Sequence, residues 1–207
     1  MIDVHCLVHR EDTEFFPQLQ AQMAEEKDAN FHIISNGTSI GVGRCKGFLT
    51  GKSEYVSYVD YDDLIVPGIF SKINDVMSTG IPWCFTDEVL VDKDGNFIQP
   101  GWSIAPEIYN PTILEFTRIA EGVHAHHILT FRRDLISIKM IGIMEQLAEL
   151  AEDYLRTELS KYNYVHIDEV GYLYRQHEKN SVLNFKVARI LKEMLDDKRM
   201  DSSRSND

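Results

Sequence analysis

Within its first 59 residues the chain changes hydrophobic period four times, and that alternation limits the folds open to it. Residues 3–8 are mostly apolar and read as a buried strand. Thr13 is a candidate cap for a helix in which Phe15, Phe16, Leu19 and Met23 recur at helical spacing. Pro17 falls in its first turn, where a missing N–H does little harm. Residues 31–35 form a second short strand closed by Asn36-Gly37, residues 40–49 a helix of small residues, and residues 55–59 a third strand. Strand, helix, strand, helix, strand in that order imply an α/β, Rossmann-like domain with a mainly parallel central sheet flanked by helices.

The second half adds hairpins to this core. Pro67 suits the first turn of a helix whose inward face is Phe70, Ile73 and Met77. Residues 83–91 and 97–98 pair as a hairpin around Asp94-Gly95. Residues 99–127 show little periodicity and read as mixed loops. A helix follows over 145–159, then short strands at 164–167 and 171–174, then a helix carrying Val187, Ile190, Leu191, Met194 and Leu195. No internal repeat or linker interrupts residues 1–195, which read as one domain, and residues 196–207 form a polar tail expected to fray.

Composition removes several classes. Hydrophobic residues make up 43% of the 207, enough for a real core. No run approaches the roughly 20 apolar residues of a membrane span, and no basic-then-apolar leader opens the chain. A formal charge of −12 argues against non-specific binding to nucleic acid or anionic membrane. Cys6, Cys45 and Cys84 are odd in number and widely spaced, as reduced thiols of a cytoplasmic protein are.

Four groups of residues carry possible chemistry. The third strand runs into Asp60-Tyr61-Asp62-Asp63, at the carboxyl end of a sheet strand, where open α/β sheets bind ligands. Carboxylates two apart there can reach one hard divalent cation, and capping of the following helix by Asp62 or Asp63 is the competing account. The run Gly41-Val42-Gly43-Arg44-Cys45-Lys46-Gly47 has the wrong spacing and place for a dinucleotide loop; Gly43 and Gly47 on one helix face fit close packing on the sheet. Glu152-Asp153 is either a solvated helix face with Glu152–Arg156 as an i,i+4 pair, or a catalytic acidic pair. His124, His126 and His127 invite a zinc site, yet no second Cys/His cluster of matching spacing is evident; a loop beside a cleft or polar filler explains them as well. Trp102 and Tyr109, in the same region, offer faces for a sugar or base, or for the core.

Taken with residues 51–63, the Gly41–Gly47 run resembles the "GEYV-x-F-x-D-x-DD" segment of GT-A-fold, family-2-type nucleotide-sugar glycosyltransferases, with its preceding Gly/Arg helix. Residues 129–136 resemble that family's "fRR-x-L" segment, Glu152-Asp153-Tyr154 its "ED-Y" motif, and residues 172–181 its closing "Y-R-x-H-x-x-S". The resemblance implies a metal-dependent, inverting transferase that moves a sugar from a nucleoside diphosphate to an acceptor hydroxyl. It puts Asp60, Asp62, Arg44 and Arg175 beside the donor, Asp62 and His177 on Mn²⁺ or Mg²⁺, and Asp153 in the role of base. Trp102, His126 and Glu152 then face the acceptor, whether a glycan, a protein or a hydroxymethylated DNA base as in bacterial or phage enzymes. Arg132, Arg133, Lys139 and Lys179 are the candidates for a basic groove in the DNA case. One departure is Ser35-Asn36-Gly37-Thr38 in place of the family's "DDgS" turn; Asn36 can still meet a base edge, and UDP is the default nucleotide. Because of that departure, a degenerate nucleotide-sugar-binding or scaffold protein is the alternative. A sugar-phosphate nucleotidyltransferase fits less well, since no glycines follow the first strand.

Overall fold

The computed structural model describes residues 1–8, 14–35, 39–108 and 117–177. Two compact units divide the chain, Met1–Arg175 and Gln176–Asp207; of the second, only Gln176 and His177 are described. The expected cap Thr13, Asn36, Tyr109, Lys179, the last helix and the polar tail lie outside the described residues.

In the first unit, β1 (Ile2–Val8), β2 (Ala29–Ser35) and β3 (Tyr55–Asp60) alternate with helices α1 (Phe16–Glu25) and α2 (Ile40–Phe48), as the periodicity predicts. β4 (Leu64–Ile65), α3 (Ile69–Met77), β5 (Trp83–Val91) and β6 (Phe97–Pro100) follow. Next come a small hairpin, β7 (Arg118–Ala120) with β8 (Val123–His124), and then β9 (Leu129–Arg132). Helices α4 (Ile138–Leu147) and α5 (Ala151–Leu159) and strand β10 (Tyr164–Arg175) complete the described chain. The main sheet has the order β2-β1-β3-β9-β5-β10-β4, with β6 on the side of β5. Its long ladders, β1–β2, β1–β3 and β5–β10, are parallel. The shorter ladders of β9, β6 and β4 are antiparallel.

Period-two alternation sends successive strand residues into two cores. Ile2, Val4, Cys6, Val59 and Cys84 meet Leu19 of α1 and Phe70, Ile73 and Met77 of α3 on one face. Val56, Tyr58, Trp83, Phe85 and Phe131 meet Phe48 of α2, Met140 and Met144 of α4, and Leu155 and Leu159 of α5 on the other. Each such side chain, fully buried, contributes about 1.5–3 kcal/mol. α2 starts where the Ser39 hydroxyl accepts the Val42 N–H at 3.2 Å. Its Gly47 rests on β1: a Cβ there would come 2.8 Å from the His5 ring. That close approach explains the small-residue pattern.

Four expectations change. Pro67 stands before α3 rather than in its first turn, since Gly68 in the left-handed region is the N-cap. The single helix over 145–159 is two helices joined by a 3₁₀ turn, Ala148–Leu150, with Ala148 at φ 50°. Tertiary contact accounts for the break, since Gly41 packs against that turn and a Cβ on it would lie 2.9 Å from the Ala148 carbonyl oxygen. The two short strands after it are one, β10, bulged between Ile167 and Tyr172. Within residues 99–127, expected as loops, the chain forms the end of β6, a 3₁₀ turn at Pro106–Ile108, and β7 and β8.

Candidate active site

β3 delivers Asp60 to the carboxyl end of the sheet, and the chain turns at once, the Asp63 N–H donating to the Asp60 carbonyl at 3.3 Å. Strand β10 fixes that turn. The Tyr172 hydroxyl accepts the Asp60 N–H at 3.0 Å and donates to Asp63 Oδ2 at 2.7 Å. The Arg175 N–H donates to Asp63 Oδ1 at 2.7 Å. Asp63 is buried; burial first, then the charges of Asp62 and Asp60, push its pKa well above the carboxylate range. Helix α3 begins later, with Gly68 as its N-cap and no side-chain cap, so neither Asp62 nor Asp63 caps it. Asp62 is half-buried on the same turn.

Arg44 of α2 is buried and joins two distant carboxylates. Its Nε donates to Glu152 Oε1 at 2.7 Å, its Nη2 to Asp60 Oδ1, and its Nη1 to the Val59 carbonyl at 3.4 Å. The guanidinium lies 4.2 Å from the centre of the Tyr58 ring. Burial alone would lower its pKa, but the charges of Asp60 and Glu152 outweigh burial and raise it. For Glu152 burial pulls upward, and Arg44, Arg156 and His127 together outweigh it and lower its pKa; for Asp60, Arg44 and His127 together overcome burial and hold it well below the usual range.

Asp153 stands beside Glu152 in the first turn of α5, and Arg156 Nη2 donates to its Oδ1. Its side chain is 17% exposed. Burial raises its pKa, with the Arg156 charge opposing, and the net direction is upward. The solvated-face reading of this segment does not hold: Glu152, Asp153 and Arg156 are all largely buried.

Across the sheet, Glu88 of β5 is fully buried and accepts from two imidazoles: His126 Nδ1 lies 3.0 Å and His127 Nδ1 3.1 Å from Oε2. His127 Nε2 then faces Asp60 Oδ2 at 3.6 Å, an ion-pair distance rather than a hydrogen bond. Burial would lower the His127 pKa, but Asp60 and Glu88 outweigh it and lift it to about 10. Burial would raise Glu88, and His126 with His127 bring it down to about 2. The result is a row of alternating charge: Glu88, His127, Asp60, Arg44, Glu152. Glu88, 38 residues before His126, carries no sequence signal of this role; it sits in a strand that reads only as one arm of a hairpin. Tyr172 is equally silent.

Other predicted residues have different surroundings. Arg175 is buried with its Nη2 donating to Gln18 Oε1 at 2.7 Å and its guanidinium 4.4 Å from the Phe15 ring, so α1 holds the head group expected beside the donor. Trp102 is nearly buried, its ring centre 4.4 Å from that of His126. His177 belongs to the second unit. Of the basic-groove candidates, Arg132 forks onto Asp134 at 3.0 and 2.9 Å. Arg133 donates to Asp3 at 2.6 Å and to the Ser53, Phe48 and Thr50 carbonyls, a structural tie of the segment after α2 to β1.

Asp62, half-buried on the acidic turn, offers a carboxylate there to a hard cation. An all-oxygen carboxylate donor such as Asp62 is the chemistry Mg²⁺ and Mn²⁺ take.

By sequence, the chain matches no family model and no curated protein. Solved structures match it by shape. S. aureus TarS 1–349 in complex with UDP-GlcNAc superposes over 86% of this chain with a TM-score of 0.59 and 12% identity. Glucosyl-3-phosphoglycerate synthase from Mycobacterium tuberculosis, in complex with Mg²⁺ and UDP, does so over 85% with a TM-score of 0.51 and 12% identity. The chain spans 59% of the TarS fragment and 72% of the synthase. These likenesses show the fold, a GT-A-type α/β domain.

Proposed function

We propose that the chain is a metal-dependent, inverting glycosyltransferase acting on a nucleoside-diphosphate sugar, with a UDP-sugar as donor. The observation that carries this reading is the Arg44 bridge. One guanidinium holds Asp60 of the β3 turn and Glu152 of α5, so two acidic motifs 92 residues apart in the sequence meet at one place. The fold likeness to structures that hold UDP or UDP-GlcNAc supports the choice of donor.

In this reading Asp62 holds the cation, Mn²⁺ or Mg²⁺, which when bound neutralises the diphosphate. Asp60 and Arg44 shape the donor pocket, and Asn36 meets the base. Asp153 accepts the proton of an acceptor hydroxyl as its oxygen forms a bond to the anomeric carbon. The bond from that carbon to the phosphate oxygen breaks, and its electron pair leaves with the nucleoside diphosphate. A carboxylate whose pKa is raised by burial is a better base than an exposed one, and Arg156 aims it. One displacement with one base inverts the carbon.

Calorimetry with Mn²⁺ and a panel of nucleotide sugars tests this. Wild type binds a donor and Asp62→Ala loses it. Asp153→Asn keeps donor binding while donor turnover falls by about 10²–10⁴-fold. If wild type binds no nucleotide sugar, the proposal fails; if Asp153→Asn turns over normally, Asp153 is not the base.

A further inference from the structure

The histidine-rich segment and the buried glutamate opposite it are absorbed by no step above. We propose that Glu88, His126 and His127 form a binding site for a borderline first-row cation of the zinc class, separate from the acidic turn. One ligand atom from each of the three residues lies within 4.8 Å of the others, and both Nδ1 atoms approach the same Oε2, at 3.0 and 3.1 Å. Ligands on a tetrahedral ion at about 2.0–2.1 Å stand roughly 3.3 Å apart, so the set needs only a small expansion to close on a metal. Two imidazoles with one carboxylate select zinc-class ions over the all-oxygen chemistry of Mg²⁺.

The surroundings of the cluster fit a built site. Gly101 leaves room for the glutamate, since a Cβ there would come 2.6 Å from the Glu88 carbonyl oxygen. The Trp102 N–H reaches Glu88 Oε1 at 3.4 Å, and the Trp102 ring backs His126. A second observation is independent of these. His127 Nε2 is buried without a hydrogen-bond partner, and Asp60 Oδ2 stands 3.6 Å beyond it. A metal on Nδ1 fixes the tautomer that carries the proton on Nε2, pointed at that carboxylate, as metal-bound histidines are commonly held. The His126 side chain, 17% exposed, is the open side of the cluster, where a further ligand or water can enter. Glu88 and His127 are closed to solvent.

The test needs no donor, so it stands apart from the transferase reading. Protein stripped with a chelator is loaded with Zn²⁺ or Co²⁺, desalted, and its metal content measured. Wild type is expected to retain the ion, and Asp62→Ala to retain it equally. His126→Ala and Glu88→Gln should bind it at least about 10-fold more weakly. The visible spectrum of Co²⁺-loaded wild type should show the strong bands of a low-coordinate, nitrogen-ligated ion, a readout that survives even if a variant does not fold. A pale, six-coordinate oxygen-type spectrum, no retained ion in wild type, or loss in Asp62→Ala with full retention in His126→Ala each overturns the proposal.

Discussion

Replacing Arg44 by Met tests whether the bridge between Asp60 and Glu152 is the keystone of the site. The change removes a buried cation while keeping most of the side-chain volume, so the cost comes mainly from two carboxylates left without their partner. Breaking a buried ion pair this way costs about 3–5 kcal/mol. Glu152 is 16% exposed and Asp60 29%, so water recovers part of the loss for Asp60 and the lower end, about 3 kcal/mol, is expected. For a chain of this size that is a fall in melting temperature of roughly 6–12 °C. Arg44→Lys should fall between, since one ammonium cannot fork across both acids. The decisive assay is a double-mutant cycle by urea denaturation with Arg44→Met, Glu152→Gln and the pair. Groups in direct contact are coupled by about 0.5–3 kcal/mol, and the upper half of that range is expected here. A Met variant that loses under about 1 kcal/mol, or a cycle additive within about 0.5 kcal/mol, refutes the bridge as a buried, coupled unit.

Asp3 is predicted to make stability pH-dependent. Burial would raise its pKa, but hydrogen bonds from His32 and the Ser53 N–H outweigh it and hold it at about 2. A carboxyl depressed from 3.8 to about 2 stabilises the fold by about 2 kcal/mol at neutral pH, fully above pH ~4 and progressively less as pH falls towards 2. The stability gap between wild type and Asp3→Asn should therefore begin to close below pH ~4; a gap that stays flat from pH 6 to 3 refutes it. Gly47→Ala gains about 1 kcal/mol of helix propensity but drives a methyl group into the His5 ring, an overpacking cost of about 1–3 kcal/mol. Net destabilisation in a thermal melt is expected, and an unchanged or higher melting temperature counts against that contact.

The first three strands and the first three helices were legible because each carries its own period: Ile2, Val4 and Cys6 alternate, and Phe70, Ile73 and Met77 recur every three or four residues. What was not legible depends on distant partners. Strand β9 is four residues long and exists because β3 and β5 leave a gap that it fills with antiparallel pairing to both. The break before α5 has no Gly or Pro to announce it and follows from the approach of α2. In the site, the acidic turn and the Glu152-Asp153 pair were visible as motifs, as was the cluster of histidines. Glu88 was not, since an acid next to Asp87 in a strand says nothing about which imidazoles will close on it 38 residues later.

The Tyr172 hydroxyl has a consequence for anyone who wishes to reshape this protein. It accepts a hydrogen bond from the backbone at Asp60 and donates one to Asp63, so both ends of a four-residue turn are measured against a strand more than a hundred residues away. The three aspartates are consequently not interchangeable copies of one charge. A transplant of the Asp60–Asp63 loop into another scaffold must carry a phenol at the matching place on the neighbouring strand, or its carboxylates will arrive with the right spelling and the wrong aim.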